Sequence, residues 1–256
     1  MKILVINHQT DCNAERFQPW LEEAGSQIDN RLGPAGQLPN HIYYSTNSPA
    51  SDHFCAVIIA GGDANVGDEP HSVWWFPQVE QLIIEATAQR IPVLGLCLGA
   101  QLVAHALGGQ IDSCNNQLKY CTKPYEFGVA DIHLSKSGRS DLLFKGLGST
   151  ISMHENHQAY IKQLPDRAEL LASSDRCPIE AFRYGRYTYG LQFHPEVNTE
   201  TVNNWTKKRV NELIDAGIDW SLVIKRASHF MHDNEAASRQ ICHNFAQIIR
   251  RRSKLS

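Results

Sequence analysis

Cys97 lies inside the run Gly95-Leu96-Cys97-Leu98-Gly99. Residues 91–96 form a short apolar run that reads as a buried strand. Residues 101–107 carry Leu102, Val103, Ala106 and Leu107 on one face and read as a helix. A cysteine on the turn between a strand and a helix is expected to be exposed, at the positive end of the helix dipole. Both conditions favour the thiolate, the form that attacks carbonyl carbon. The flanking glycines permit the tight turn that lifts such a nucleophile out of a sheet.

A cysteine nucleophile needs a base. The stretch YGLQFHPEV, from Tyr189 to Val197, reads as a short strand ending at His194-Pro195-Glu196. Side chains two apart in extended backbone point the same way. Glu196 can therefore lie beside His194 and fix the tautomer and orientation of its ring. Pro195 has no N–H to give to a ladder and suits the end of a strand. Cys97, His194 and Glu196 together follow the logic of a nucleophile, base and carboxylate triad. The tetrahedral intermediate of such chemistry carries an oxyanion that needs preset donors. The Leu98 N–H, just after the nucleophile at the helix start, is one. A second donor is needed as well.

These residues are far apart in sequence, so the elements between them must bring them together. Strands are expected at 2–6, 56–60 and 91–96, with helices at 17–24 and 76–89. Strands alternating with helices imply parallel crossovers and a sheet covered on both faces. Further strands are expected at 128–134, 150–152, 170–173, 180–183 and 187–193. In open sheets of this kind, ligands bind beyond the carboxyl ends of the strands. Gly61-Gly62, Cys97 and His194 all fall just past strand ends. After Glu196 the pattern turns helical, with helices expected at 200–216, 220–229 and 234–251. Asn198 or Thr199 would cap the first, and Gly217 would close it. The organisation expected is one α/β domain over 1–197 and a helical extension over 198–256 packed on or beside it.

The composition is that of a globular enzyme, with 42% hydrophobic and 20% charged residues in 256. A formal charge of −3 gives no reason to expect nucleic acid or a membrane surface as a partner. No apolar run approaches the roughly 20 residues needed to cross a bilayer. The seven cysteines show neither a disulfide framework nor a zinc-type spacing with histidine, so a reducing cytoplasm is expected, with no metal.

GLCLGAQ together with GLQFHPEV resembles the class I, triad-type glutamine amidotransferases, in particular GMP-synthase-like stand-alone glutaminase domains. VIIAGGDANVGDE from Val57, YEFGVADIHL from Tyr125, HENHQAY from His154 and LLASSDRCPIEAFRYG from Leu170 are similar to further segments of that group, so the likeness covers about residues 1–197. The resemblance implies a flavodoxin-like, open, mostly parallel sheet with helices on both faces. It implies no cofactor. It implies that the glycine pair after the run 56–60 gives the second oxyanion donor, at Gly62, that Gln101 contacts the α-amino or carboxylate end of the substrate, and that His157 belongs to a substrate loop. Glu126 is left between a structural and a site-lining role. Two departures stand out: Asp63 where the family usually has proline, and Gln158-Ala159 where it usually has Gly-Asp. The implied activity is release of ammonia from L-glutamine through a cysteinyl γ-glutamyl thioester. With no phosphate-binding glycine loop in the chain, ammonia would pass to a separate synthetase subunit. The alternatives are a stand-alone hydrolase of γ-glutamyl peptides or amides with the same triad, and an idle binding protein on this scaffold.

Overall fold

A computed structural model describes residues 1–10, 13–45, 52–66, 73–113 and 126–255. Residues 67–69 and Tyr125, parts of two segments quoted above, lie outside the described residues, as do Cys12, Cys114 and Cys121. The elements in chain order are β1 (Lys2–Asn7), α1 (Phe17–Glu23), β2 (Gln27–Leu32), β3 (Tyr43–Tyr44), β4 (His53–Phe54), β5 (Ala56–Ile59), α2 (Phe76–Ala88), β6 (Val93–Leu96) and α3 (Leu98–Ala106). They continue with β7 (Gln110–Ser113), β8 (Glu126–Leu134), α4 (Lys136–Ser140), β9 (Thr150–His157), β10 (Ala159–Gln163), β11 (Ala168–Ser173), β12 (Ala181–Tyr184), β13 (Thr188–Leu191), α5 (Thr199–Lys208), α6 (Val210–Asp215) and α7 (Trp220–Ser253).

Nine strands form one sheet in the order β2-β1-β5-β6-β13-β12-β11-β8-β9. The half from β2 to β13 is parallel, and every pairing beyond β13 is antiparallel. Strands β1, β5 and β6 of the parallel half are apolar on both faces, and alternate residues enter different cores. Ile3, Val5, Ile58, Leu94 and Leu96 pack with Phe17 and Leu21 of α1 and with Ile241, Phe245 and Ile249 of α7. Leu4, Ile6, Val57, Ile59 and Val93 pack on the other side with α2 and α3. A strand buried on both faces has no polar side to present, so its sequence reads as a continuous apolar run.

The helical part after Glu196 is bent and joined differently from the expectation. Residues 200–216 are two helices, α5 and α6, broken at Arg209 (φ −117°, ψ 19°). Asn198 is the N-cap of α5, accepting from the Thr201 N–H at 3.0 Å, and Gly217 follows α6 with φ +68°. Conversely, the two helices expected at 220–229 and 234–251 are one 34-residue helix, α7. No glycine or proline interrupts residues 220–253, so nothing removes a backbone hydrogen bond at the expected gap. The apolar spacing weakens there without a break in the backbone.

The carboxyl half of α7 is a core element. Phe245 is fully buried against the sheet. Replacing it with alanine is expected to lower the unfolding free energy by about 3–5 kcal/mol, the range for large core truncations. A urea melt reads this directly. A loss below about 1 kcal/mol would mean that the helix only rests on the surface.

Candidate active site

Three neighbouring parallel strands, β5, β6 and β13, end at one rim of the sheet. Ile59 is in register with Gly95, and Gly95 with Gly190. The residues just after these strands, Gly61-Gly62, Cys97 and His194, therefore meet without long excursions. Gly62, Cys97 and His194, with Asp63, Leu98, Gln101, Asn156, His157, Trp205 and Arg209, line a small cleft of about 60 Å³ that opens to solvent.

Cys97 has φ +50° and ψ −107°, a left-handed conformation for a residue with a side chain, and α3 begins at the next residue. The turn is tight because two backbones touch. A Cβ on Gly95 would lie 2.4 Å from the Gly99 carbonyl oxygen, and one on Gly99 would lie 2.1 Å from the carbonyl oxygen of Ile59. Only glycine fits at either place. The Cys97 N–H donates to the Leu191 carbonyl at 2.8 Å, which fastens the turn to β13. Cys97 is 5% exposed, less than expected of a turn residue, because Trp205 and the β9–β10 turn stand over it as walls of the cleft.

The Cys97 sulfur accepts from Gln192 Nε2 at 3.6 Å, and its thiol donates to the Asn156 carbonyl at 3.7 Å. Gln192 is fully buried and is held by Gln101, whose Nε2 donates to Gln192 Oε1 at 3.2 Å and to the Ala159 carbonyl at 2.9 Å. Gln101 is thus 3% exposed and spends both of its N–H donors on the fold. It couples the floor beneath the sulfur to the turn after β9. Gln192 is a site residue that the sequence reading misses. It is one polar side chain in an apolar strand, and that contrast is the available signal.

His194 Nδ1 and Glu196 Oε1 are 2.7 Å apart, both residues being nearly sealed from solvent. The other ring nitrogen, Nε2, is not bonded to the rest of the fold, and the Cys97 sulfur is near enough to act on the ring. Burial opposes a charge on His194, but the Glu196 carboxylate and the Cys97 sulfur outweigh it and hold its pKa well above the ordinary value. Neighbouring His154 behaves oppositely. Burial, aided by the charge of His194, lowers its pKa to about 3, so it stays neutral. Its carbonyl accepts from the His194 N–H at 2.8 Å and fixes the backbone of the HPE turn. The Trp205 ring meets His194 edge-on at 5.0 Å.

The glycine loop is fastened from two sides. The Asp63 N–H, which a proline would lack, donates to Gln9 Oε1 at 2.9 Å. The Asp63 carboxylate pairs with Arg209, at the bend between α5 and α6. His157 reaches the cleft, but both of its ring nitrogens are buried, and Nε2 faces carboxylates at 3.2 Å (Glu155) and 3.7 Å (Glu126). It therefore offers neither ring nitrogen to the cleft. Glu126 belongs to this buried group and does not line the cleft.

Behind the HPE turn lies Glu15, another residue at positive φ (+34°). Its Oε2 accepts from the Thr201 hydroxyl at 2.7 Å. Burial raises its pKa to about 7, the Thr201 bond opposes this, and the Glu196 charge adds to it. A carboxyl with a raised folded pKa stabilises fully below its unfolded value near 4.5 and loses that share as pH climbs through about 7. Glu15→Gln is therefore expected to gain in melting temperature relative to the unsubstituted protein as pH rises from 5 to 8. Parallel melting curves across that interval would contradict the assignment.

Comparisons with known proteins agree with this geometry. The family model described as glutamine amidotransferase class-I matches residues 26–211. The glutamine amidotransferase-like protein YfeJ of Salmonella typhimurium is 29% identical over 219 residues, 84% of either chain. One subunit of the glutamine-hydrolyzing GMP synthase of Methanobrevibacter smithii is 38% identical over 109 residues, 42% of this chain and 52% of that protein. The crystal structure of a glutamine amidotransferase from Thermotoga maritima superposes with a TM-score of 0.78 over 96% of this chain and 98% of that one, at 22% identity. With its family model spanning most of the sheet and the whole cleft rim, the chain belongs to the class-I glutamine amidotransferases.

Proposed function

We propose that the protein hydrolyses the side-chain amide of L-glutamine with Cys97 as nucleophile, His194 as general base and acid, and Glu196 as the carboxylate that orients His194. The observation that carries this reading is the 2.7 Å His194–Glu196 contact in the cleft where the Cys97 sulfur raises the pKa of the same histidine. The Cys97 proton passes first to His194 Nε2, giving the imidazolium that its surroundings favour, and the sulfur then bonds to the amide carbon. The imidazolium then gives that proton to the departing nitrogen, so ammonia leaves and a γ-glutamyl thioester remains. Water, deprotonated by the same nitrogen, cleaves the thioester to glutamate and restores the thiol.

The oxyanion of each tetrahedral intermediate is assigned to the N–H groups of Leu98 and Gly62. Leu98 is the first residue of α3, so its N–H has no partner within the helix, and the helix dipole points the same way. The neighbouring Asp63 N–H is taken by Gln9, which leaves Gly62 as the donor from this loop. Because Gln101 has spent its donors, it can offer a substrate only an acceptor oxygen. Its partner is then the α-ammonium group rather than the α-carboxylate. His157 shapes the wall and does not bond the substrate.

The name of the Methanobrevibacter relative supports an acceptor on a separate synthetase subunit, with this protein as the ammonia source. The reaction takes place in the cytoplasm on this reading. No helix of the described residues is long and apolar enough to cross a membrane.

Cys97→Ser is expected to lower ammonia release from glutamine by at least about 10³-fold, with the far-UV spectrum unchanged. A glutamine-like electrophile should label Cys97 in the unsubstituted protein before any of the other six thiols. Equal ammonia release from both proteins, given glutamine or γ-glutamyl dipeptides, would reject the reading. Faster cleavage of the dipeptides than of glutamine would replace the acceptor assignment with a peptide-hydrolase role.

A further inference from the structure

The carboxyl ends of β9 and β11 and the start of β12 enclose a second cluster, on the far side of His157 from the cleft. A ring nitrogen of His157, the Cys177 sulfur and a carboxylate oxygen of Glu180 all lie within 4.8 Å of one another. All three residues are buried, at 6%, 1% and 0% exposure. Glu180 and Glu155 are both fully buried, and the polar groups that meet their carboxyls are each other, Ser174 and His157. Glu155 Oε2 is 3.2 Å from His157 Nε2, and Glu126 follows at 3.7 Å. Arg176 stands at the edge of the group, its Nε 3.9 Å from Glu126 Oε1. Three carboxyl groups and a thiol are thus gathered where water is excluded. Burial without compensation costs several kcal/mol for each charged group.

We propose that His157, Cys177 and Glu180 bind a divalent transition metal ion, with Glu155 in reach as a fourth donor, and that the donor chemistry selects zinc. Sulfur, imidazole nitrogen and carboxylate oxygen together form a borderline-soft set that suits zinc and disfavours magnesium or calcium. A triangle with sides of at most 4.8 Å places its corners within about 2.8 Å of a common centre. Zinc bonds of about 2.0–2.3 Å need a further inward movement of about 0.5–0.8 Å from each side chain. Binding displaces the Cys177 thiol proton to solvent and ends the 3.4 Å contact of that thiol with the Ile179 carbonyl. The ion has a route in, since Glu126 and Glu155 also line a second surface cleft together with Asp131, Asp175 and Arg176.

The donors come from two separate segments, so the ion is a clip. It holds the carboxyl end of β9 to the loop before β12. Asn156, one residue before His157, gives the carbonyl that meets the Cys97 sulfur, and Ala159, two residues after it, gives the carbonyl that holds Gln101. The site is therefore structural: it sets the wall of the cleft and takes no part in the bond changes proposed above.

The test uses the full chain and metal alone. Purified without chelator, the protein should retain close to one equivalent of zinc by elemental mass spectrometry. After chelation, titration with Co²⁺ should produce a thiolate-to-metal charge-transfer band. Cys97 and His194 could themselves take the ion, so the titration is repeated on Cys97→Ser, where the band should persist. It should vanish in Cys177→Ser. The isosteric Glu180→Gln should weaken binding at least tenfold while its circular dichroism stays native, which covers the case in which Cys177→Ser does not fold. Zinc should raise the melting temperature of the protein and leave that of Glu180→Gln nearly unmoved. A folded Cys97→Ser protein that binds no Co²⁺ overturns the proposal, because the cluster is then kept neutral by protons. A band unchanged in Cys177→Ser overturns it as well. All of these readings are independent of turnover, so their failure leaves the proposed amide hydrolysis standing, and the reverse holds too.

Discussion

The position of the Cys97 sulfur depends on how closely α3 can approach the sheet. Gly99 lies against the Ile59 carbonyl and Gly95 against Gly99, at separations where a methyl group would have no room. This contact allows the chain to reverse from β6 into α3 within one residue, and that residue takes on the unfavourable backbone angles. Larger residues at 95 or 99 would push the helix outward and carry the sulfur away from the His194 ring. The strain at Cys97 is held by bonds on both sides, from its N–H to β13 and from its carbonyl to the Gln101 N–H. Stability elsewhere, chiefly in the two apolar cores, maintains this one strained point.

Much of this is legible in the sequence because the relevant signals are local. Apolar runs mark β1, β5 and β6, and the glycine spacing around Cys97 marks the turn. The two-residue interval between His194 and Glu196 anticipates their contact. The elements that escape have other physical origins. Strand β2 is half-buried at the sheet edge and carries Gln27, Asp29, Asn30 and Arg31, so its composition conceals it. Among the described residues, strands β7 and β10 pair only with each other, and β7 ends beside residues outside the described structure. The unbroken course of α7 is hidden because apolar spacing reports a buried face, and a helix can run on without one.

The same limit applies to the site. A sequence motif carries the residues that face the reaction and conveys little about those that support them. Gln192 lies within the HPE motif segment, yet its bond to the sulfur depends on strand register. The grouping of Glu126, Glu155, His157, Cys177 and Glu180 is a tertiary event, since β8, β9 and the loop before β12 meet only in the folded sheet. Trp205 and Arg209 belong to the helices after Glu196, where nothing in the residue pattern points to the cleft.

The bend between α5 and α6 has a mechanical meaning. Arg209 sits at the bend and grips Asp63, while Trp205 one turn earlier leans on the His194 ring. A single rigid corner thus bears on two opposite walls of the opening. The orientation of the glycine loop and that of the imidazole are tied to one another through the angle between α5 and α6.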